Sequence, residues 1–184
     1  MFLEFHDSIQ VKGKEYRFRN DFQIYIKIQK ILSSPLVFDE DKLEVICDIL
    51  FYEPVPIEER GEALITFLKI FAPTKSSKEK CFDIEQDANL VYSGFMQSYG
   101  IDLNTATLSI EQFIALLNGL PPTARLCEVI KIRTMPIPKA TKNNAPQISA
   151  ILKAKSEVAL KNDKTVEEQF KAFGQMIRSM AHGR

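Results

Sequence analysis

Punctuation constrains this chain more than anything else in it. Breakers recur at Ser33-Ser34-Pro35, Pro54 and Pro56, Pro73, Gly100, Asn118-Gly119 with Pro121-Pro122, and through "TMPIPKATKNNAP" from Thr134 to Pro146. Between them, apolar residues return at intervals of three or four, the spacing of one helix face. The pattern predicts a mainly α fold of about seven or eight short helices. One stretch differs. In "SIQVKGKEYRFR", Ile9 and Val11 alternate with polar residues before Lys12-Gly13, and Tyr16 and Phe18 do so after it. Alternation around a residue that tolerates positive φ predicts an N-terminal β-hairpin.

Local signals place the helices. Asn20-Asp21 offers an amide or carboxylate cap ahead of Phe22, Tyr25, Ile28 and Leu32, which predicts a first helix over 21–33. Asp39-Glu40-Asp41 puts negative charge at the start of a second, carrying Leu43, Ile46, Cys47 and Leu50. Ile57, Leu64, Leu68 and Phe71 mark a third, with Pro56 suited to its start. A fourth is expected from Asp83, with Ile84, Ala88, Val91, Phe95 and Tyr99 on one face and Gly100 as its stop. Ser109 and Gln112 form a capping box ahead of Phe113, Leu116, Leu117 and Leu120, and Thr123 is expected to cap the segment bearing Leu126, Val129 and Ile130. Ile148, Ile151, Leu152 and Ala159 outline a further helix, and a second capping box, Thr165 with Glu168, opens a last one bearing Phe170, Phe173, Ile177 and Met180.

The organisation expected is a hairpin with three helices over 1–72, a polar linker over 73–80, a central helical segment over 81–133, an extended connection over 134–146 and basic C-terminal helices over 147–184. With 45% hydrophobic and 26% charged residues, the chain has the material for a packed core. No apolar run approaches the roughly 20 residues that cross a bilayer, and "MFLEFHDSIQ" carries charge where a signal peptide needs an apolar stretch. A soluble cytoplasmic protein is the expectation.

Catalytic patterns are scarce. Asp83, Glu85 and Asp87 alternate as calcium ligands do, but Ala88 stands where the loop needs Gly and Gly94 where a closing Glu belongs. The simpler reading is a solvated helix start favoured by the dipole, so Asp83→Asn with Asp87→Asn should leave function nearly intact. Glu40-Asp41-Lys42 has nuclease-like spacing that helix initiation also explains. Phosphate-binding glycine motifs and GxSxG are absent, Cys47, Cys81 and Cys127 form no CxxC, and His6 and His182 lie at opposite ends. No catalytic residue, cofactor or metal is expected.

Charge is uneven. Residues 1–120 hold 12 Lys and Arg against 19 Asp and Glu, net −7, while 121–184 hold 12 against 5, net +7. This permits intramolecular docking, head-to-tail self-association or an acidic partner for the basic third. Lys131, Arg133, Lys139, Lys142, Lys153, Lys155 and Lys161 would serve phosphate contacts if clustered, but no aromatic residue is interleaved for base stacking.

Certain stretches in order carry a resemblance: "VKGKEYRFRNDF", then "FDIEQDANLVYSGFMQSYGIDL", then "LSIEQFIALLNGLPPTARLCEVIKIR". Across residues 8–160 the chain resembles the tail assembly chaperone-like proteins of Gram-positive tailed phages and prophages, encoded just ahead of the tape-measure gene. The sharper points of likeness are Phe82-Asp83 with Asp87, Tyr92, Tyr99 to Leu103, Phe113 to Leu120, and the stretch ending at Arg133. It departs from them at Ser109-Ile110-Glu111, where an aromatic pair is usual, and at Lys131-Ile132, where Gly-Tyr is usual. The resemblance implies a noncatalytic partner of the tape-measure protein during tail morphogenesis. Val91, Tyr92, Phe95, Met96, Tyr99, Phe113 and Leu117 are the expected core of the family-like segment, and Phe170, Phe173, Ile177 and Met180 the expected client or self-association surface. A phage DNA-associated protein using the basic third is the rival reading.

Overall fold

A computed structural model describes residues 4–34, 39–71, 81–141 and 143–161. Among them the chain is mainly helical, with one two-stranded antiparallel sheet and seven α-helices. Strand β1 (Ser8–Val11) pairs with β2 (Lys14–Arg17) so that Ser8 faces Arg17 and Val11 faces Lys14. Lys12 and Gly13 both take positive φ, 48° and 80°, the backbone of a type I′ turn. Its twist matches the strands, and the alternation puts Ile9, Val11 and Tyr16 inward.

The described residues divide into two compact units. The first comprises 4–71 with 107–115. It holds the hairpin, helices α1 (Phe22–Ser33), α2 (Asp39–Leu50) and α3 (Ile57–Ile70), and the N-terminal part of α5 (Ile110–Asn118). Helix α1 begins where the Asp21 carboxylate accepts from the Gln23 N–H at 2.7 Å. The hairpin packs on α3, and Tyr16, Phe18, Ile28, Ile46, Leu50, Leu64 and Phe67 form a core with Ile110. Phe18 meets Phe67 edge-on at 5.0 Å, the arrangement the ring quadrupole favours. Arg19 donates from Nη1 to the carbonyls of Ile49 at 2.9 Å and Phe51 at 2.7 Å, satisfying acceptors left open where α2 ends.

Helix α5 starts with the reciprocal capping box. The Ser109 N–H donates to Gln112 Oε1 at 2.9 Å, and the Gln112 N–H donates to Ser109 Oγ at 3.1 Å. Glu111 Oε1 accepts from the His6 N–H at 2.9 Å, and Oε2 accepts from Asn20 Nδ2 at 2.8 Å. Asn20, offered by the sequence as a cap for α1, instead ties three segments: Nδ2 also donates to the His6 carbonyl at 2.7 Å, and Oδ1 accepts from the Ile110 N–H at 2.9 Å. Burial alone would raise the Glu111 pKa, but the bonds from Asn20 and the His6 backbone outweigh it and leave it below the ordinary value of 4.5.

The second unit comprises 81–106 with 116–161 and contains α4 (Ala88–Tyr99), the end of α5, α6 (Arg125–Thr134) and α7 (Ala145–Glu157). Gly100 ends α4 at φ +67°, with its N–H on the Met96 carbonyl and the Ile101 N–H on that of Phe95. At Gly94 the helix passes so close to Leu120 that an added Cβ would lie 3.2 Å from its Cδ1. Thr123 does not cap α6: the Ala124 N–H donates to the Pro121 carbonyl at 2.8 Å, the turn makes Ala124 the N-cap, and Thr123 is exposed. Residues 135–141 form neither helix nor strand. Among the described residues, no helix is long and apolar enough to cross a membrane.

Candidate functional site

The quoted acidic stretch does not start a helix at Asp83. Residues 84–87 form a turn, and α4 begins at Ala88. Asp83 Oδ1 accepts from the N–H groups of Glu85 at 3.0 Å and Gln86 at 2.8 Å, the local side-chain turn to which aspartate is suited. Nor is Asp87 a solvated dipole residue. It is only 2% exposed, makes no side-chain cap bond to α4, and turns its carboxylate onto the guanidinium of Arg133 at the end of α6.

That contact is bidentate. Arg133 Nη1 donates to Asp87 Oδ2 at 2.6 Å and Nη2 to Oδ1 at 2.9 Å, with the two side chains 11% and 3% exposed. The planar fork suits such a pair, and two of its three remaining donors are used as well. Nε donates to the Val158 carbonyl at 2.6 Å, and Nη1 also to that of Cys81 at 3.1 Å. Asp87 Oδ2 further accepts from the Asp83 N–H at 3.1 Å. A buried charge pair is tolerable when each member is matched and hydrogen-bonded, as here.

Around this clasp lies α7. It packs on α6 but, alone among the described helices, buries no side chain. Polar ties hold its C-terminal end: Arg133 to the Val158 carbonyl, Lys155 Nζ to the Met135 carbonyl at 2.8 Å, and the Lys161 N–H to Gln86 Oε1 at 2.8 Å. Leu152 on its outer side is 48% exposed.

A family profile described as Bacteriophage Gp15 protein matches residues 4–160. The chain belongs to that bacteriophage family. Asp87, Arg133 and the Val158 carbonyl all lie within the matched span of this Gp15 family member, and residues 161–184 lie outside it. Comparisons with curated proteins and with solved structures each give no match.

The residues singled out in this Gp15 family chain fall in different places. Val91 and Phe95 are buried on α4, Phe95 meets Tyr99 edge-on at 5.7 Å, and the Tyr99 hydroxyl donates to the Leu116 carbonyl at 2.9 Å. Tyr92 and Leu117 are half-buried. Met96 is 39% exposed, on the outer side of α4. Phe113 belongs to the first unit, stacked on Phe22 with ring centroids 4.9 Å apart. Phe170, Phe173, Ile177 and Met180 lie outside the described residues.

No group of three or more His, Cys, Asp or Glu is arranged to hold a metal ion among the described residues. Asp83 and Asp87, the two best acidic ligands by spacing, are engaged with backbone N–H groups and with Arg133. The three cysteines are free thiols; burial of Cys47 pushes its pKa up to about 12, away from the thiolate that nucleophilic chemistry requires. What the described residues show at this site is polar anchoring of the C-terminal end of α7. Sequence reasoning missed the clasp because its two charges are far apart along the chain.

Proposed function

We propose that this chain is a noncatalytic tail assembly chaperone of a tailed phage of Gram-positive hosts, acting in the host cytoplasm on the tape-measure protein. The observation that carries the reading is the bacteriophage family match over residues 4–160, which spans every motif by which the chain resembles those chaperones. The physical task is to keep a long apolar helical client apart from its own copies. Short amphipathic helices suit it, because their grooves take a helix face by apolar contact, and many weak sites acting together need no nucleotide. The weakly packed α7 and the exposed Met96, Ile137 and Leu152 of the second unit fit such a surface. Neither a cofactor nor a metal has a part in it.

The test is co-expression with the product of the longest neighbouring reading frame, followed by tagged pull-down and light scattering. The expected result is a stable multi-copy complex that makes an otherwise insoluble client soluble. A client equally insoluble with and without this chain overturns the reading.

A further inference from the structure

We infer that this chain self-associates head to tail, the acidic face of α2 and α3 in one copy pairing with the basic face of α6 and α7 in another. The acidic face begins as a stripe on α2. Asp41, Glu44, Val45 and Asp48 stand at i, i+3, i+4 and i+7, on the side away from the buried Ile46 and Leu50, and all four are exposed. Glu44 Oε1 lies 3.4 Å from Arg60 Nη1, which carries the surface onto α3, where Ile57, Glu58 and Glu62 are exposed as well. Ile57, at 72%, is the most exposed large apolar side chain among the described residues. Residues 41–62 hold seven Asp and Glu against two Lys and Arg, and one of those two, Lys42, is buried.

The basic face has the same make-up with the sign reversed. Residues 125–161 hold eight Lys and Arg against two Glu. Arg133 is spent on Asp87, but Lys131, Lys139, Lys153 and Lys161 are exposed, and among them Ile137 is 49% and Leu152 48% exposed. Single exposed apolar residues need no explanation. What calls for one is that these side chains sit within charge of one sign on each face. Such a face repels its own like, which disfavours a symmetric pairing and makes the opposite face of another copy its complement. Charge would steer the encounter and fix the register, while the aliphatic side chains supply apolar burial. Pairing of unlike faces is a heterologous contact, which gives rings where it closes and open chains where it does not. The basic face is also the surface offered above to the client, so client and copy compete for it. Self-association itself does not rest on the chaperone reading.

The experiment uses the full chain without any client, followed by sedimentation velocity over a range of protein concentrations. At an ionic strength of about 0.05 M the mass should rise with concentration, and at about 0.5 M, where exposed charges are screened, association should weaken at least about tenfold. One variant reverses the acidic face, Asp41→Lys with Asp48→Lys, and a second reverses the basic one, Lys131→Glu with Lys153→Glu. Each alone should associate at least about tenfold more weakly than wild type, because attractive pairs have become repulsive ones. An equimolar mixture of the two should recover association, since the untouched basic face of the first meets the untouched acidic face of the second. A variant that had merely misfolded could not be restored in this way. A wild type that stays monomeric at low salt, association unaltered in either variant, or a mixture no more associated than its parts overturns the inference. Each of those results leaves the co-expression test of the client untouched, so the two readings fail separately.

Discussion

Breaking the Asp87–Arg133 clasp is the perturbation with the most to say. Arg133→Ala leaves the Asp87 carboxylate, whose side chain is 3% exposed, without its cation, and leaves the Cys81 and Val158 carbonyls without their donor. Removing one partner of a buried ion pair costs about 3–5 kcal/mol, mostly because the other charge stays buried and uncompensated. Asp87→Asn is milder, about 2–3 kcal/mol, since the amide oxygen can still accept from Nη1 while the charge-assisted part of the bond is lost. Arg133→Lys keeps the charge but loses the fork and the bonds to the Cys81 and Val158 carbonyls, so its cost should lie clearly below that of Arg133→Ala. The decisive variant is the double, Arg133→Met with Asp87→Leu. Replacing both charges with apolar groups removes the orphaned ion, and its cost should fall well below the sum of the singles. Urea unfolding followed by far-ultraviolet circular dichroism gives the free energies. If Arg133→Ala changes stability by less than about 1 kcal/mol, the range of exposed pairs, the clasp is not a buried pair in solution. If the double mutant is simply additive, the uncompensated-charge argument is wrong.

Three further outcomes are expected. Phe95→Ala should cost about 3–5 kcal/mol, because the ring is fully buried and edge-on to Tyr99; an unchanged urea midpoint would remove it from the core. Gly100→Ala should cost about 1–2 kcal/mol by backbone alone, since φ is +67° and a Cβ there meets nothing, and Gly100→Asn should cost less. The Glu111 pKa is lowered on folding, so its contribution is fully present above the ordinary value of 4.5 and is lost as pH falls through the lowered one. The urea midpoint between pH 6 and pH 3 should fall less steeply in Glu111→Gln than in wild type, and superimposable curves would contradict the assignment.

The features legible in the sequence share a short range. Lys12-Gly13, Asp21, the Ser109 and Gln112 pair and Gly100 each act on backbone within a few residues, so their chemistry and their partners sit in the same window of text. Asp87 shows why reading stops there. An aspartate before an amphipathic stripe looks the same whether it caps the helix or turns inward, and the choice depends on a guanidinium 46 positions away. Asn20 makes the same point from a cap position, because its amide is claimed by Glu111, 91 positions on. Thr123 failed for a local reason: Pro121 closes a turn that shifts the helix boundary to Ala124. Met96 has the apolar character of a core residue but falls on the outer side of α4, a rotation that the interval of three or four does not resolve at helix edges.

The clasp also does the work of a cross-link. Through one guanidinium it joins the carbonyls of Cys81 and Val158, near the first and last described residues of the second unit. Closing a long loop restricts its ends at a cost that grows only with the logarithm of length, which is why cystine bridges across distant residues are effective. Here the tie is made by hydrogen bonds from a guanidinium to two backbone carbonyls, although one of the residues it joins is a cysteine with a free thiol. Reductants and oxidants therefore leave the connection alone, and a single change of charge can undo it.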